Sequence, residues 1–422
     1  MAAVAVQQVS DLLKDGLHIS PKTVASRPQE KNAAVPQQPD IGYDPDETKW
    51  KARTARRLLE NPSLPNTPLP EGFPKKLVSP LMWEGKDWTE EKQWVYEMTP
   101  EHLKEIDEAV KHFRSLGKPF GHVKASTFPL PTLGPVLTEL ARELHTGRGF
   151  FVLRTIPVDS YSREENGIIY AGISSYVGNL RAVQDTPAVI AHITDLTKRE
   201  PSKTLGAPAY TTDKQVFHTD LGDIIGLFAL EVAVEGGTSR ISSTWRAYNE
   251  LAETRPDLIK TLAEPWVHDG FGRSPAYIVR PLMFHHDSKI SIQYARRMFT
   301  GFLALPRSAD IPPITDAQAE ALDALHFLGE KYHLALNFQK GDIQYINNLG
   351  IFHTRDAFVD GPEQKRHLLR MWLRNEELGW ATPPELQELW QQLYHSVSPD
   401  DHTFPLEAAV RKQTIGGVLK KD

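Results

Sequence analysis

The chain of 422 residues contains no cysteine. Disulfides, thiolate zinc sites, iron–sulfur clusters, thiolate-ligated haem and cysteine nucleophiles are excluded together. Any bound metal has to be held by imidazole and carboxylate, and the 16 histidines leave room for that. An excess of positive charge is also missing. Lys and Arg number 48 against 54 Asp and Glu, a net charge of −6, so a nucleic-acid partner is not expected. No run approaches the ~18 consecutive apolar residues of a transmembrane helix, so no membrane partner is expected either. The opening MAAVAVQQVSDLLKDG lacks a basic segment followed by a long apolar stretch. The closing LKKD matches no retention or peroxisomal signal, and a cytoplasmic location is the expectation. Nucleotide-binding glycine motifs are absent too: no GxGxxG follows a strand, and no GxxxxGK[ST] occurs.

Hydrophobic residues at 40% and charged residues at 24% give an ordinary globular composition. Residues 21–74 hold ten of the 32 prolines. The reading is an N-terminal Pro-rich arm over 1–74, with short helices around Val9, Leu12 and Leu13 and at Trp50–Leu59, followed by a single domain over 75–422. Exchange of such an arm between subunits would make a homo-oligomer. Thr99-Pro100-Glu101 is a helix start, with a capping hydroxyl, Pro at the first position and acid in the first turn. Leu103, Ile106, Val110, Phe113 and Leu116 continue it at helical spacing up to Gly117. Further helices are expected at 132–146, 161–177, 244–254, 315–333 and 384–396. Strands are expected at 149–154, 223–234, 239–243, 276–280, 289–294, 341–346 and 366–374. The pattern is α+β, mainly β: one large β-structure flanked by helices.

Three segments carry chemistry. In Phe217-His218-Thr219-Asp220, an extended backbone puts His218 and Asp220 on one face, able to share an ion. Alone, HxD is a common surface turn. Residues 341–353, GDIQYINNLGIFH, read as a turn, a strand and a histidine, His353, which is 133 residues after Asp220. Two imidazoles and one carboxylate suit divalent iron and leave positions open for a chelating co-substrate and dioxygen. The strand Lys365–Arg374 then sets Arg366, Leu368, Arg370 and Trp372 on one side. Two arginines on an otherwise apolar face ask for anionic partners, and guanidinium groups pair carboxylates well. An edge strand with solvated arginines is the bland alternative. His192 reads as structural. His285-His286 reads as a solvated loop, since neighbours on a strand point oppositely.

The order HxD, His, then Arg 13 residues on resembles the taurine/α-ketoglutarate dioxygenase family, including its clavaminate-synthase-like branch, over roughly residues 75–380. The phrases LPEGFP (69–74), FHTDLGD (217–223) and GDIQYINNL (341–349) look most like fungal members, many of which serve secondary metabolism or amino-acid oxidation. The resemblance implies a double-stranded β-helix (jelly-roll) core with flanking helices. It implies Fe(II) on His218, Asp220 and His353, with 2-oxoglutarate as co-substrate and O2 as oxidant. Arg366 matches the arginine for the distal carboxylate of 2-oxoglutarate. Ser239, after Gly236-Gly237-Thr238, stands where relatives carry a hydroxyl residue that touches the same group. Arg370 matches an arginine that anchors a substrate anion in some members. The substrate is then a small molecule with a carboxylate, and Tyr210, Phe217, Tyr345, Phe352 and Trp372 are candidate walls of its pocket.

Three other readings compete. A zinc hydrolase would use the same three ligands and need no oxygen. A binding protein would keep a relict site. An oxygenase of the same class would act on a peptide.

Overall fold

Residues 37–200, 205–272 and 274–411 are described by a computed structural model. The chain divides between Gln37 and Gln38 into two units, and all described residues but Gln37 belong to the second. The helix expected around Val9–Leu13 lies outside the described residues.

Caps and apolar spacing place most helices. They are α1 (Glu47–Glu60), α2 (Pro100–Ser115), α3 (Leu133–Thr146), α4 (Arg163–Val177), α5 (Thr244–Thr254), α6 (Pro256–Ala263), α7 (Asp316–Tyr332) and α8 (Gln387–His395). Thr99 caps α2 and Thr315 caps α7, each through its hydroxyl to an amide three residues on. The sequence pattern misses α6. It follows α5 directly, starts on Pro256, and is too short to establish a period. α1 docks on α7: Trp50 stacks on Phe327 with centroids 4.7 Å apart, and Arg53 donates to buried Asp323 at 2.5 Å. The N-terminal stretch thereby brings Tyr43 to the edge of the strand Gln215–His218, where the Val216 amide donates to its hydroxyl at 3.3 Å.

The strands are β1 (Val95–Glu97), β2 (Phe150–Arg154), β3 (Leu180–Arg181), β4 (Ile190–Thr194), β5 (Gln215–His218), β6 (Ile224–Glu231), β7 (Ser239–Ser243), β8 (Trp266–Asp269), β9 (Tyr277–Arg280), β10 (Leu334–Leu336), β11 (Ile343–Asn347), β12 (Ile351–Arg355) and β13 (His367–Arg374). A seven-stranded sheet runs β1-β2-β11-β6-β13-β3, with β4 also on β13. A four-stranded antiparallel sheet runs β10-β7-β12-β5. The fold is mixed α/β, and among the described residues no ladder closes the two sheets into a barrel.

Period-two alternation splits the large sheet between two cores. Phe151, Leu153, Ile343, Tyr345, Leu369, Met371 and Leu373 pack outward against α2, α3 and α4. Phe150, Val152, Ile346 and Trp372 join the second core, with Phe217, Ile241 and Phe352 of the small sheet. Inward-facing β13 carries Arg370 and Trp372, as its alternation predicts, while Arg366 stands just before the strand, ahead of a register shift between His367 and Leu368. The pair His285-His286 is not a loop. It ends a strand of a hairpin, with His286 opposite Lys289, and the His285 ring lies 5.6 Å from Phe73.

Candidate metal centre

β12 lies antiparallel to β5, and the register sets His353 opposite His218. Their ring centroids are 4.0 Å apart. Asp220 follows in the turn after β5, where Asn348 clamps the backbone. Its Oδ1 accepts from the Asp220 amide at 2.8 Å, and its Nδ2 donates to the carbonyls of Asp220 and Gly222 at 2.7 and 2.8 Å. One ligand atom from each of His218, Asp220 and His353 then falls within 4.8 Å of the others.

The protonation of these groups suits a cation. His218 Nδ1 sits 2.9 Å from the Val216 carbonyl, which fixes its hydrogen there and leaves Nε2 as a lone pair. That Nε2 is 3.9 Å from Asp220 Oδ1. Burial holds both imidazoles below their ordinary pKa, His353 well below it, so both are neutral. His353 Nδ1 is buried without a partner. Burial alone would raise the Asp220 carboxyl, but the Arg370 guanidinium, with Arg411 adding to it, holds it well below the usual carboxylate range. Arg370 Nη1 at 2.6 Å and Trp372 Nε1 at 3.1 Å both donate to Asp220 Oδ2. With Oδ2 taken, Oδ1 is the oxygen turned to a metal. Two neutral imidazoles and one oriented carboxylate fit a divalent iron with open positions.

Arg366 lines a separate recess with Gly236, Gly237, Thr238 and Leu368. Its Nη1 is buried without a partner, and burial, with Arg355 beside it, brings its pKa down to about 9. Gly237, at φ +70°, would place a Cβ 3.3 Å from the Arg366 side chain. Ser239 Oγ donates to Gln344 Oε1 at 2.9 Å, and Gln344 Nε2 is itself unpartnered. These orphaned donors fit a carboxylate such as the distal one of 2-oxoglutarate.

The aromatic walls expected from sequence divide. Trp372 lines the cavity beside Asp220. Tyr210 stands one contact away, its hydroxyl accepting from Arg411 Nε at 2.9 Å. Phe217, Tyr345 and Phe352 are core residues. Phe217 neighbours His218 on β5 and so faces the other way, into the space that Gly329 leaves on α7. Phe352 is displaced likewise by His353 and meets Tyr294 edge-on. Tyr345 belongs to the outward parity of β11, against Phe151, and its hydroxyl meets Ser174 Oγ at 2.7 Å. Tyr345→Phe is therefore expected to cost about 1 kcal/mol of stability in a denaturant titration, by orphaning Ser174, and to leave KM values unchanged. The cavity also takes in Tyr43, Arg280, Gln293 and Arg411, which no local motif marks.

Residues 112–372 match the taurine catabolism dioxygenase TauD, TfdA family. The chain belongs to that family. It is a non-haem Fe(II)- and 2-oxoglutarate-dependent dioxygenase with His218, Asp220 and His353 as its facial triad. A taurine hydroxylase-like protein, SAT17, of Stachybotrys chartarum is 38% identical over 76% of this chain and 85% of its own. FR-33289 synthase of Streptomyces rubellomurinus is 24% identical over 74% of this chain and 94% of its own. An asparagine oxygenase solved with Fe(II), hydroxyasparagine and succinate has the related fold. Its TM-score is 0.53 at 15% identity, over 67% of this chain and 93% of that one. Among the described residues of this dioxygenase, no helix is long and apolar enough to cross a membrane.

Proposed function

We propose that the enzyme oxidises an unactivated C–H bond of a small carboxylate-bearing molecule, an amino acid or a secondary-metabolite precursor, by hydroxylation, desaturation or oxidative cyclisation. Arg370 carries this reading. Its Nη1 and Nε are committed to Asp220 and Gln184, while its Nη2 is buried, unpartnered and beside the metal ligands. A substrate carboxylate is the partner that completes it.

Iron and 2-oxoglutarate, when bound, supply the oxidising power drawn from dioxygen, with succinate and CO2 released. The chain's own contribution is placement. His218, Asp220 and His353 hold the iron. Arg366 and Ser239 hold the distal carboxylate of 2-oxoglutarate and so fix its orientation. Arg370 holds the substrate, and Tyr210 steadies Arg411 at the same cavity. The two sheets are best read as a double-stranded β-helix (jelly-roll) core with flanking helices, a reading supported by the likeness to the asparagine oxygenase. The division into an N-terminal arm over 1–74 and a single catalytic domain over 75–422, acting in the cytoplasm, belongs to the same proposal; the described part of the arm packs on that domain through α1.

The test mixes iron-loaded protein, 2-oxoglutarate and oxygen with a panel of amino acids and organic acids. Succinate formation stimulated by one of them is the expected result. No succinate across the panel would sink the proposal, and hydrolysis by the zinc form without oxygen would favour the hydrolase.

A further inference from the structure

Five arginines line the cavity of the metal ligands, Arg280, Arg296, Arg297, Arg370 and Arg411, against one carboxylate, Asp220. That carboxylate is the metal's. Arg296 is tied to Asp323 and to the Gly42 carbonyl, at 2.7 and 2.8 Å, and Arg297 donates to the Gly206 carbonyl at 2.9 Å. Arg296 even so keeps a buried Nη1 without a partner, and Arg280, Arg370 and Arg411 are each incompletely satisfied as well. Arg280 has Nε and Nη1 buried without a partner, Arg370 has Nη2, and Arg411 has Nη1.

They reach the cavity from three parts of the chain. Arg280 ends β9, whose partner in the ladder is β8, with Arg280 opposite Trp266. Arg370 lies on β13. Arg411 comes from the C-terminal segment, where Tyr210 accepts from both its amide and its Nε, at 3.2 and 2.9 Å. The guanidinium carbons of Arg370 and Arg411 lie 4.8 and 5.7 Å from the Trp372 ring centroid, so both border one indole beside Asp220. A buried guanidinium N–H without an acceptor is costly, and several around one cavity are best offset when anions enter it. One carboxylate has two oxygens and can accept from Arg370 Nη2 and Arg411 Nη1 together. It leaves Arg280 unserved.

We propose that the cavity takes a small molecule with two anionic groups, one held by Arg370 and Arg411 beside the iron ligands and the other by Arg280. This rests on the reading of the cavity as the substrate site and makes Arg280 and Arg411 its specificity-determining residues.

The test needs no turnover. Calorimetry follows α,ω-dicarboxylates from malonate to adipate, and monocarboxylates of matched length, into protein saturated with Mn(II) and 2-oxoglutarate. At least one dicarboxylate is expected to bind tenfold or more tightly than its monocarboxylate. Arg280→Gln should abolish that preference and leave monocarboxylate binding unchanged, while Arg411→Gln should weaken both. Equal binding across the ladder, absent binding by both series, or a preference that survives Arg280→Gln would overturn the proposal. The ladder is repeated without metal and co-substrate. Failure of Mn(II) and 2-oxoglutarate themselves to bind then counts against the functional reading, while the dicarboxylate preference still decides the two-anion proposal.

Discussion

His353→Ala should lower iron affinity by more than ~100-fold and abolish substrate-dependent succinate formation. Loss of an outer-shell partner of a metal ligand already costs ~10–100-fold, and here a direct ligand goes. Among the described residues no other His, Asp or Glu joins His218, Asp220 and His353 in the ligand cluster, so no neighbouring side chain replaces it. Metal titration of the folded variant is the measurement. Unchanged iron binding would refute the ligand assignment. The fold should survive, because removing the ring also removes an unpartnered buried Nδ1.

Arg366→Gln should weaken 2-oxoglutarate binding about 30-fold or more, since a buried charge pair that loses one partner costs about 2–5 kcal/mol. The variant should be as stable as the parent, or more stable, when 2-oxoglutarate is absent. The guanidinium is buried, its pKa is drawn down to about 9, and one of its nitrogens has no acceptor, so the empty site bears a desolvation cost that Gln reduces. Arg366→Lys should rescue little, because a point charge does not reproduce the planar fork. Direct binding measurements and melting curves separate the two effects. Unaltered 2-oxoglutarate affinity would move its distal carboxylate elsewhere, and Arg355 is a candidate. Its guanidinium carbon lies 4.7 Å from the Phe358 ring centroid, that of Arg366 lies 5.4 Å from the same ring, and Arg355 Nη1 is unpartnered.

Much of the site was legible where local backbone geometry decides it. His218 and Asp220 share a face because they are two apart. Arg370 and Trp372 share one on β13 for the same reason, while Arg366, just before the strand, enters the separate recess. That rule also explains the failures. Phe217 and Phe352 are each adjacent to a ligand on a strand, so they cannot also face the metal. Tyr345 fails differently. Its parity is plain, but which face of β11 meets the helices depends on what covers the sheet, and that is a property of α2, α3 and α4.

The chemistry available to this protein follows from its residue types and their spacing. With no thiol, a metal centre had to be imidazole and carboxylate, and the HxD, His and Arg spacing supplied it. Helix caps and apolar periods set most helices, because those preferences are local. Which residues close the cavity is settled by long-range packing. Tyr43, Arg280 and Arg411 come from an N-terminal stretch, a hairpin and a C-terminal segment, far apart in the chain. Their meeting depends on register and long-range packing, for which no short pattern of residues codes. The same packing leaves guanidinium groups buried without acceptors, and that deficit is what points to the ligands the cavity takes.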